Sequence, residues 1–192
     1  MRDKVRNGAF TLIELLIVIA IAVIIAGGLV PLFSTTKQDA KVAKMLSLAD
    51  TLKDACRRYY FDTGQLSIET GNAAQSCPSA NRQLSCDSGV SGWGGPYISK
   101  PLSSEDNPWS SVTNLARSTQ IIFDFDGDGS DNQVAGHYCN YLEFGGDSTM
   151  IVKKINDALD KGVPGNWMTT GKVEYDEVAG GARIYLFSSK PQ

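Results

Sequence analysis

The sequence predicts an α+β fold, in which a long N-terminal helix packs on a small antiparallel sheet. Three observations predict this architecture. Residues 10–30 form an almost uninterrupted apolar run, apolar residues recur at three- and four-residue spacing from Val42 to Tyr59, and short segments rich in aromatic and β-branched residues follow from residue 120 onward. The remaining head of about 130 residues is large enough for one domain and small for two.

The apolar run is long enough to cross a membrane. About 20 helical residues reach about 30 Å, which is the thickness of the hydrocarbon core. The leader before it, residues 1–9, carries three basic residues against one acidic residue, and positive charge holds that end of a chain in the cytoplasm. A removable secretory signal fits less well, because its apolar core spans only about 7–15 residues. We therefore expect a single-pass helix whose N-terminus is cytoplasmic.

Glu14 is the single charged residue of the apolar run. An ionised side chain inside a bilayer costs about 2.5 kcal/mol or more, so it requires a partner. A plain membrane anchor explains the length of the run and the basic leader but leaves this carboxylate unexplained. We therefore expect an assembled state that satisfies Glu14.

Residues 8–15, Gly-Ala-Phe-Thr-Leu-Ile-Glu-Leu, resemble the processing site of type IV pilins and of the pseudopilins of type II secretion. The resemblance implies that a prepilin peptidase cuts on the cytoplasmic side and methylates the new N-terminus. A cut between Ala9 and Phe10 makes Glu14 the fifth residue of the mature chain, which is the place of the acidic residue in this family. The family usually has glycine just before the cut, but a cut after Gly8 would leave Glu14 sixth. We therefore expect cleavage at Ala9–Phe10 and N-methylation of Phe10.

The resemblance also implies a type IV pilin-like fold and a filament. Subunits of this family stack their apolar helices in a central bundle, where Glu14 of one subunit pairs with the amine of Phe10 on its neighbour. Either charge alone would be costly in a low-dielectric bundle, so the pair fixes the height of each subunit. The implied partners are further copies and other pilins or pseudopilins, the prepilin peptidase, the inner-membrane assembly platform and the membrane. The implied location is the inner membrane before assembly, and a periplasmic pseudopilus or a cell-surface pilus afterwards.

Beyond the apolar run, the helix is expected to continue in amphipathic form. Pro31 lies one turn beyond a glycine pair and predicts a kink or a melted stretch over Gly27–Leu32, because an internal proline removes a hydrogen bond and clashes with the preceding turn. Asp62-Thr63-Gly64 ends the helix, with the glycine suited to a left-handed cap. The apolar stripe of this helix comprises Val42, Met45, Leu46, Ala49, Leu52, Cys56 and Tyr59. The predicted division of the chain is a leader at 1–9, an apolar polymerisation helix at 10–30, an amphipathic helix at 31–62 and a head at 63–192.

The head is predicted to combine a long loop with a small sheet. Residues 64–95 are rich in Gly, Ser, Asn and Cys and poor in apolar residues, which indicates a loop. Ser148–Leu159 is expected to form a helix, since its apolar residues fall on one face. The expected strands are Gln120–Phe125, His137–Phe144, Gly171–Tyr175 and Ala182–Phe187.

Four cysteines lie beyond the apolar run: Cys56, Cys77, Cys86 and Cys139. With a cytoplasmic N-terminus they lie outside the cytoplasm, where disulfides persist. Three pairings are possible; we expect Cys77–Cys86 to close the long loop and Cys56–Cys139 to tie the helix to the sheet. A zinc site is the competing interpretation, but the chain lacks a C-x-x-C pair and has one histidine, His137.

Residues 124–129, Asp-Phe-Asp-Gly-Asp-Gly, match the first six positions of an EF-hand calcium loop. Alternate carboxylates on such a tight turn can converge on one ion. The match ends at the twelfth position, where Ala135 replaces the expected glutamate. The alternative is an acidic hairpin turn, for which Asp-Gly is well suited. We expect a structural calcium ion held by Asp124, Asp126, Asp128 and Asp131, with a backbone carbonyl, Glu143 or Asp147 completing the shell.

A second motif is similar to the major pseudopilin of type II secretion. Residues 93–97, Trp-Gly-Gly-Pro-Tyr, then Pro101 and residues 107–109, Asn-Pro-Trp, resemble its W-x-G-P-Y…P…D-P-W pattern, with asparagine in place of the aspartate. That family carries calcium in the loops of its sheet, which agrees with the acidic loop. It is shorter and usually lacks cysteines, so the resemblance covers residues 1–62 and 93–131 and leaves the rest of the head unassigned.

These features together predict a structural subunit of a type IV pilus or a type II secretion pseudopilus, which polymerises through its apolar helix after cleavage and N-methylation. The alternative is a non-polymerising, membrane-anchored binding module that depends on calcium, and it leaves Glu14 without a partner. We do not expect an enzyme, since the chain has one histidine and no recognisable nucleophile motif. The net charge of −3 excludes no partner, but the head shows no basic stripe, so we expect no nucleic-acid partner.

Overall fold

The computed structural model describes residues 11–72, 77, 80–109, 111–120, 122–132, 136–146, 149–176 and 180–189, with the backbone alone at 26–35. The predicted processing residues Gly8, Ala9 and Phe10 lie outside this range, as do Ala135 and Asp147 of the predicted calcium site. The chain divides into two compact units, Met1–Ala40 and Lys41–Gln192. All strands and the second helix belong to the second unit.

Helix α1 runs from Leu12 to Thr63 without interruption. The helix therefore continues through Pro31, so of the predicted kink or melted stretch at Gly27–Leu32 the melted stretch is wrong and the kink stays a prediction. An internal proline costs about 3 kcal/mol and removes a single backbone donor, a loss that the intact turns on both sides of a long helix can outweigh. Within the described residues, no helix is both long and apolar enough to span a membrane.

The predicted apolar stripe of α1 is confirmed by burial. A spacing of three and four residues places its members on one face of a helix. The predicted end of the helix is also confirmed, because Gly64 adopts a left-handed φ of 68° and its N–H donates to the carbonyl of Tyr60 at 2.8 Å. The stripe residues Val42, Met45, Ala49, Leu52, Cys56 and Tyr59 are all buried, and Leu46 is half-buried against them.

The sheet is antiparallel throughout, with five strands in the order β1-β2-β3-β5-β4. The α+β class predicted from the sequence is therefore confirmed. Helix α2 (Thr149–Leu159) lies between β3 and β4 in the chain. The strands are β1 (Glu69–Thr70), β2 (Thr113–Ser118), β3 (Tyr138–Gly145), β4 (Val173–Asp176) and β5 (Gly181–Ser189).

Strands β3, β4 and β5 and helix α2 confirm the corresponding predictions. The predicted strand at Gln120–Phe125 is wrong, because its described residues form no strand and the strand of this region is β2. The chain turns here because the carboxylate of Asp124 accepts the backbone N–H groups of Gly127 and Gly129, and such local bonds compete with a strand ladder. The loop prediction for residues 64–95 missed the short strand β1.

Two apolar clusters lie on opposite faces of the sheet, since alternate residues of a strand point to opposite faces. Leu142 of β3 and Ile184 of β5 belong to the main core, which also includes the buried faces of α1 and α2. Tyr141 and Tyr185 pack instead against Phe123 in a second cluster. The acidic segment that follows Phe123 therefore lies on the sheet face opposite to the main core.

Candidate functional site

The first turn of α1 joins Thr11 and Glu14 through reciprocal hydrogen bonds. Glu14 Oε2 accepts from the backbone N–H of Thr11 and from its hydroxyl, both at 3.0 Å. In return, the backbone N–H of Glu14 donates to Thr11 Oγ1 at 3.3 Å. This is a capping box, in which side chains satisfy free N–H groups at a helix start. The T-x-x-E spacing indicates such a box, so Thr11 is a candidate residue that apolar periodicity alone does not reveal.

The capping box gives the Glu14 carboxylate a partner within the single subunit. The sequence predicted a carboxylate without a partner in the single subunit, but the structure gives it partners in its own helix. Both bonds to Thr11 use Oε2, which leaves Oε1 for a second partner. Cleavage at Ala9–Phe10 would leave the box intact and would create an amine one residue before Thr11.

The apolar side chains that follow the box are exposed. Between Leu12 and Ile25, the large apolar residues are between 52% and 82% exposed. Folded soluble chains rarely leave more than a few hundred Å² of contiguous apolar surface uncovered, and a larger patch marks contact with a membrane or with another protein. This part of α1 is therefore suited to association with other apolar surfaces.

The second candidate site is the acidic loop, residues 124–131. Carboxylate oxygens of Asp124, Asp126 and Asp128 lie within 4.8 Å of one another. Gly127 and Gly129 have φ angles of 77° and 88°, and this left-handed backbone lets the turn curl around the carboxylates. The structure thus brings together three of the four predicted calcium ligands.

Asp124 is the buried centre of the acidic loop. Its Oδ1 accepts from the N–H of Gly127 at 2.8 Å, and its Oδ2 accepts from the N–H of Gly129 at 2.9 Å. Burial raises the pKa of Asp124, but the hydrogen bonds from Gly129 and Gly127 outweigh burial and hold the pKa below its usual range. Asp124 is therefore an ionised anchor for the turn, beside the exposed Asp126 and Asp128.

Asp131 does not join this carboxylate cluster. It is exposed and lines, with Glu174 and Arg183, an adjoining open depression of about 410 Å³. Arg183 is also 3.9 Å from Glu143, measured between Nε and Oε1. Desolvation raises the pKa of Glu174 to about 7; Arg183 opposes this rise, and the charges of Asp131 and Asp124 add to it. This end of the sheet therefore carries more negative charge than Arg183 balances.

The acidic loop fits calcium in part. Calcium prefers about six to eight hard oxygen ligands, and the clustered carboxylates supply three residues of this kind. Both oxygens of Asp124 already accept N–H bonds, so each offers its remaining lone pair. Glu143, a predicted completing ligand, lies beside Arg183 instead. Among the described residues, backbone carbonyls are left to complete the shell together with water.

The cysteines divide into a disulfide and two free thiols. Cys77 and Cys86 are joined, with their Cα atoms 5.7 Å apart. Cys56 and Cys139 are free and buried, which corrects the prediction of a Cys56–Cys139 disulfide. The cause is the alternation of β3: Cys56 lies in the main core, whereas Cys139 packs against Phe123 on the opposite sheet face. Burial raises the pKa of Cys56 to about 12, which makes this thiol unreactive.

The segment Trp93–Tyr97 fastens the long loop to the end of α1. The hydroxyl of Tyr97 donates to Asp62 Oδ2 at 2.7 Å and accepts from the N–H of Gly94 at 2.8 Å. Arg58 donates to the carbonyl of Tyr97 at 2.8 Å. The aromatic motif therefore has a structural role, which is to hold the loop against the last turns of the helix.

Asn107, which stands where the similar pattern has aspartate, is 1% exposed. Its Nδ2 donates to the carbonyl of Gly145 at 3.1 Å, and its Oδ1 accepts from the N–H of Trp109 at 2.9 Å. An ionised aspartate is acceptor-only and could not make the first of these bonds. Asparagine can therefore make both hydrogen bonds, including the one to the end of β3, whereas aspartate could make only one.

The N-terminal site has a counterpart among known protein families. No curated protein and no solved structure matches the chain significantly. Residues 4–30, which include the end of the leader and the apolar run, match the family model of the prokaryotic N-terminal methylation motif, the signature of type IV pilins and pseudopilins.

Proposed function

We propose that the protein is a structural subunit of a type IV pilus or of a type II secretion pseudopilus. It polymerises through its apolar helix after a prepilin peptidase cuts between Ala9 and Phe10 and methylates Phe10. The observation that carries this proposal is the methylation motif at residues 4–30, in which Glu14 is the single charged residue of the apolar run. The role is structural and requires no catalytic site.

In the proposed filament, Glu14 pairs with the N-terminal amine of Phe10 on a neighbouring subunit. The capping box supports this role, because it holds Oε2 at Thr11 and leaves Oε1 for the incoming amine. The attraction between opposite charges is strong in a low-dielectric bundle. A subunit at the wrong height would leave both charges unpaired, so the pair sets the register of assembly.

The proposal places the subunit in the inner membrane before assembly, as a single-pass protein with a cytoplasmic N-terminus. After assembly it lies in a periplasmic pseudopilus or in a cell-surface pilus. Its partners are further copies, other pilins or pseudopilins, the prepilin peptidase and the inner-membrane assembly platform. The exposed apolar side chains between Leu12 and Ile25 support both environments, since a bilayer and a helix bundle each cover such a surface.

Two measurements test the filament proposal. Mass spectrometry of the purified mature chain should find N-methylated Phe10 as its first residue; an intact Met1 would contradict processing. Glu14→Ala should remove the chain from sheared or pelleted filaments, whereas Asp54→Ala, which changes an exposed acidic residue in the other half of α1, should not. Normal incorporation of Glu14→Ala would contradict the pairing and would favour a membrane-anchored module that never polymerises.

We also propose that the acidic loop binds a structural calcium ion. The carboxylates of Asp124, Asp126 and Asp128 support this, because like charges this close together repel unless a cation neutralises them. An ion at about 100 times its dissociation constant stabilises the folded state by about 2.7 kcal/mol. The melting temperature should therefore rise on adding calcium and fall on adding a chelator.

Variants that replace aspartate by asparagine test whether calcium acts at the acidic loop. The double variant Asp126→Asn/Asp128→Asn should lose the response to calcium, and Asp54→Asn should keep it. If a chelator leaves the melting temperature of the wild-type chain unchanged, the acidic loop is a turn without an ion.

A further inference from the structure

A groove in the second unit is lined by basic side chains. It has a volume of about 340 Å³ and lies between α1, the end of α2 and β5. Leu46 and Leu186 contribute apolar surface to it. Lys53 and Arg57 of α1 contribute positive charge, as does Lys172 just before β4. This surface is called the basic groove below.

The basic groove brings three positive side chains together. Lys53 and Arg57 are one helical turn apart, a spacing at which like charges repel. In the described part of the chain, no hydrogen bond or ion pair engages the side-chain nitrogens of Lys53, Arg57 or Lys172. One acidic residue, Asp50, lines the groove beside these three basic ones. Such an arrangement favours an anionic partner from outside the molecule.

The same chain presents a complementary acidic surface. Asp126, Asp128 and Asp131 of the acidic loop are exposed, and Asp131 lies outside the carboxylate cluster proposed to hold calcium. The acidic loop follows Phe123 on one face of the sheet, whereas the basic groove borders the main core on the other. Because the two surfaces lie on opposite faces, one copy can use each of them to contact a different copy.

We propose that the basic groove of one copy receives the acidic loop of a second copy. The contact joins two different surfaces, so it is heterologous and can repeat from copy to copy without closing. This inference rests on the proposed filament, which brings identical heads to a high local concentration. Exposed ion pairs are individually weak, so the contact orients the heads within a filament that the apolar helices hold together.

Cysteine cross-linking of the full-length chain, in cells that assemble it, tests this contact. Asp50→Cys places a thiol in the basic groove, and Ser130→Cys places one in the acidic loop without removing a carboxylate. The native free thiols of Cys56 and Cys139 are buried. On oxidation, the double variant Asp50→Cys/Ser130→Cys should form a ladder of dimers, trimers and larger species. Neither single variant should form species larger than a dimer.

Charge variants decide whether the basic residues drive the contact. In the double-cysteine background, Arg57→Glu should reduce the cross-linked fraction about tenfold, because it sets two like charges against each other. Adding Asp131→Lys to that variant should restore the ladder. Glu105→Cys, used in place of Asp50→Cys, is the matched control: Glu105 is exposed and lies outside the groove, so it should give no ladder.

The outcomes separate this contact from the proposed function. Filaments that form while the double-cysteine variant gives no ladder would overturn the contact and leave the filament proposal standing. A ladder that Arg57→Glu leaves unchanged would also overturn it, because another surface would then join the heads. A ladder that persists in a Glu14→Ala background, without filaments, would support the contact between heads and show that it does not depend on the filament.

Discussion

Glu14 has a partner, Thr11, at the start of its own helix. Thr11 donates to its carboxylate twice and receives its backbone N–H. The residue that apolar patterning marks as an anomaly is therefore also part of the helix start. In the proposed filament, a carboxylate held in this way would meet a neighbour's amine with less rotamer freedom to lose.

The Thr11 hydroxyl is expected to contribute to assembly. Thr11→Val removes the hydroxyl at similar size, and loss of such a cap costs about 0.5–2 kcal/mol. Amide exchange at the backbone N–H of Glu14 should become about 2–30 times faster, and the yield of filaments should fall. Thr11→Ser keeps the hydroxyl and should restore both. If Thr11→Val assembles as well as the wild type, the box is a feature of the helix start alone.

Glu69 is a fully buried carboxylate that no sequence pattern singled out. Its Oε2 accepts from the backbone N–H groups of Leu84 at 3.0 Å and Ser85 at 3.2 Å, and its Oε1 accepts from the hydroxyl of Ser85. The carboxylate therefore joins β1 to the loop that contains Cys86. Burial raises the pKa of Glu69, although the bonds from Ser85 and Leu84 oppose the rise.

The raised pKa of Glu69 predicts a pH dependence of stability. Since the folded pKa lies above the ordinary value of 4.5, the native state holds the proton more tightly than the unfolded chain. The stabilisation from this group is therefore complete below pH 4.5 and is lost as the pH rises through the folded pKa. In chemical denaturation, Glu69→Gln should lack this loss and should gain stability relative to the wild type as the pH rises.

Glu69→Leu provides the contrast to Glu69→Gln. A glutamine carbonyl can accept the N–H groups of Leu84 and Ser85, whereas leucine leaves both donors buried without a partner. Each unsatisfied donor costs about 1–3 kcal/mol, so Glu69→Leu should be the less stable variant at every pH. Equal stability of the two variants would show that these hydrogen bonds do not hold the loop.

At the scale of elements, a helix with a long periodic pattern could be predicted from the sequence, whereas a short strand could not. The stripe from Val42 to Tyr59 repeats over several helical turns, so its period identifies one buried face without knowledge of its neighbours. Strand β2, Thr-Asn-Leu-Ala-Arg-Ser, has little intrinsic strand preference. Its state follows from its pairing with β3, which a local pattern does not encode.

The same distinction applies to the candidate sites. Asp124, Asp126 and Asp128 alternate within one turn, so their convergence could be predicted from local spacing. The approach of Glu174 and Arg183 to this loop depends on the placement of β4 and β5, and nothing in the sequence near Asp124 indicates it. The same reason explains why the pairing of Cys56 with Cys139 was mispredicted. Cys56 packs on one face of the sheet and Cys139 on the other, and this separation becomes visible only in the folded sheet.

The contact between the Trp93–Tyr97 segment and α1 predicts that removing the hydroxyl oxygen of Tyr97 destabilises the fold. Tyr97→Phe removes the hydroxyl that bonds to Asp62 and Gly94, and it should lower the free energy of unfolding by about 1–3 kcal/mol. Tyr138→Phe is the matched control, because Tyr138 is half-buried and makes no hydroxyl hydrogen bond in the described part of the chain. Equal losses in denaturant titrations of the two variants would mean that the hydroxyl of Tyr97 does not fasten the loop.

At the scale of the whole molecule, the buried core and the exposed apolar surface lie in different units. Among the described side chains, none before Val42 is buried, and the core residues all lie in the second unit, Lys41–Gln192. Exposed apolar residues between Leu12 and Ile25 dominate the described part of the first unit. The two units therefore have separate physical requirements: the second has a buried core of its own, and the described apolar side chains of the first are suited to cover by a membrane or by another protein.

This separation predicts that a chain beginning at Lys41 folds alone and does not polymerise. It retains every residue of α1 that is buried among the described side chains, so it should give a single cooperative unfolding transition and remain monomeric in aqueous buffer. A chain that begins at Thr51 is the matched control: it lacks the buried Val42, Met45 and Ala49, and deletion of the two larger side chains costs about 2–5 kcal/mol each. That total approaches the full stability of a typical domain, so the shorter chain should unfold. Cooperative folding of both chains would show that this part of α1 is dispensable to the core, and folding of neither would show that the second unit needs residues before Lys41.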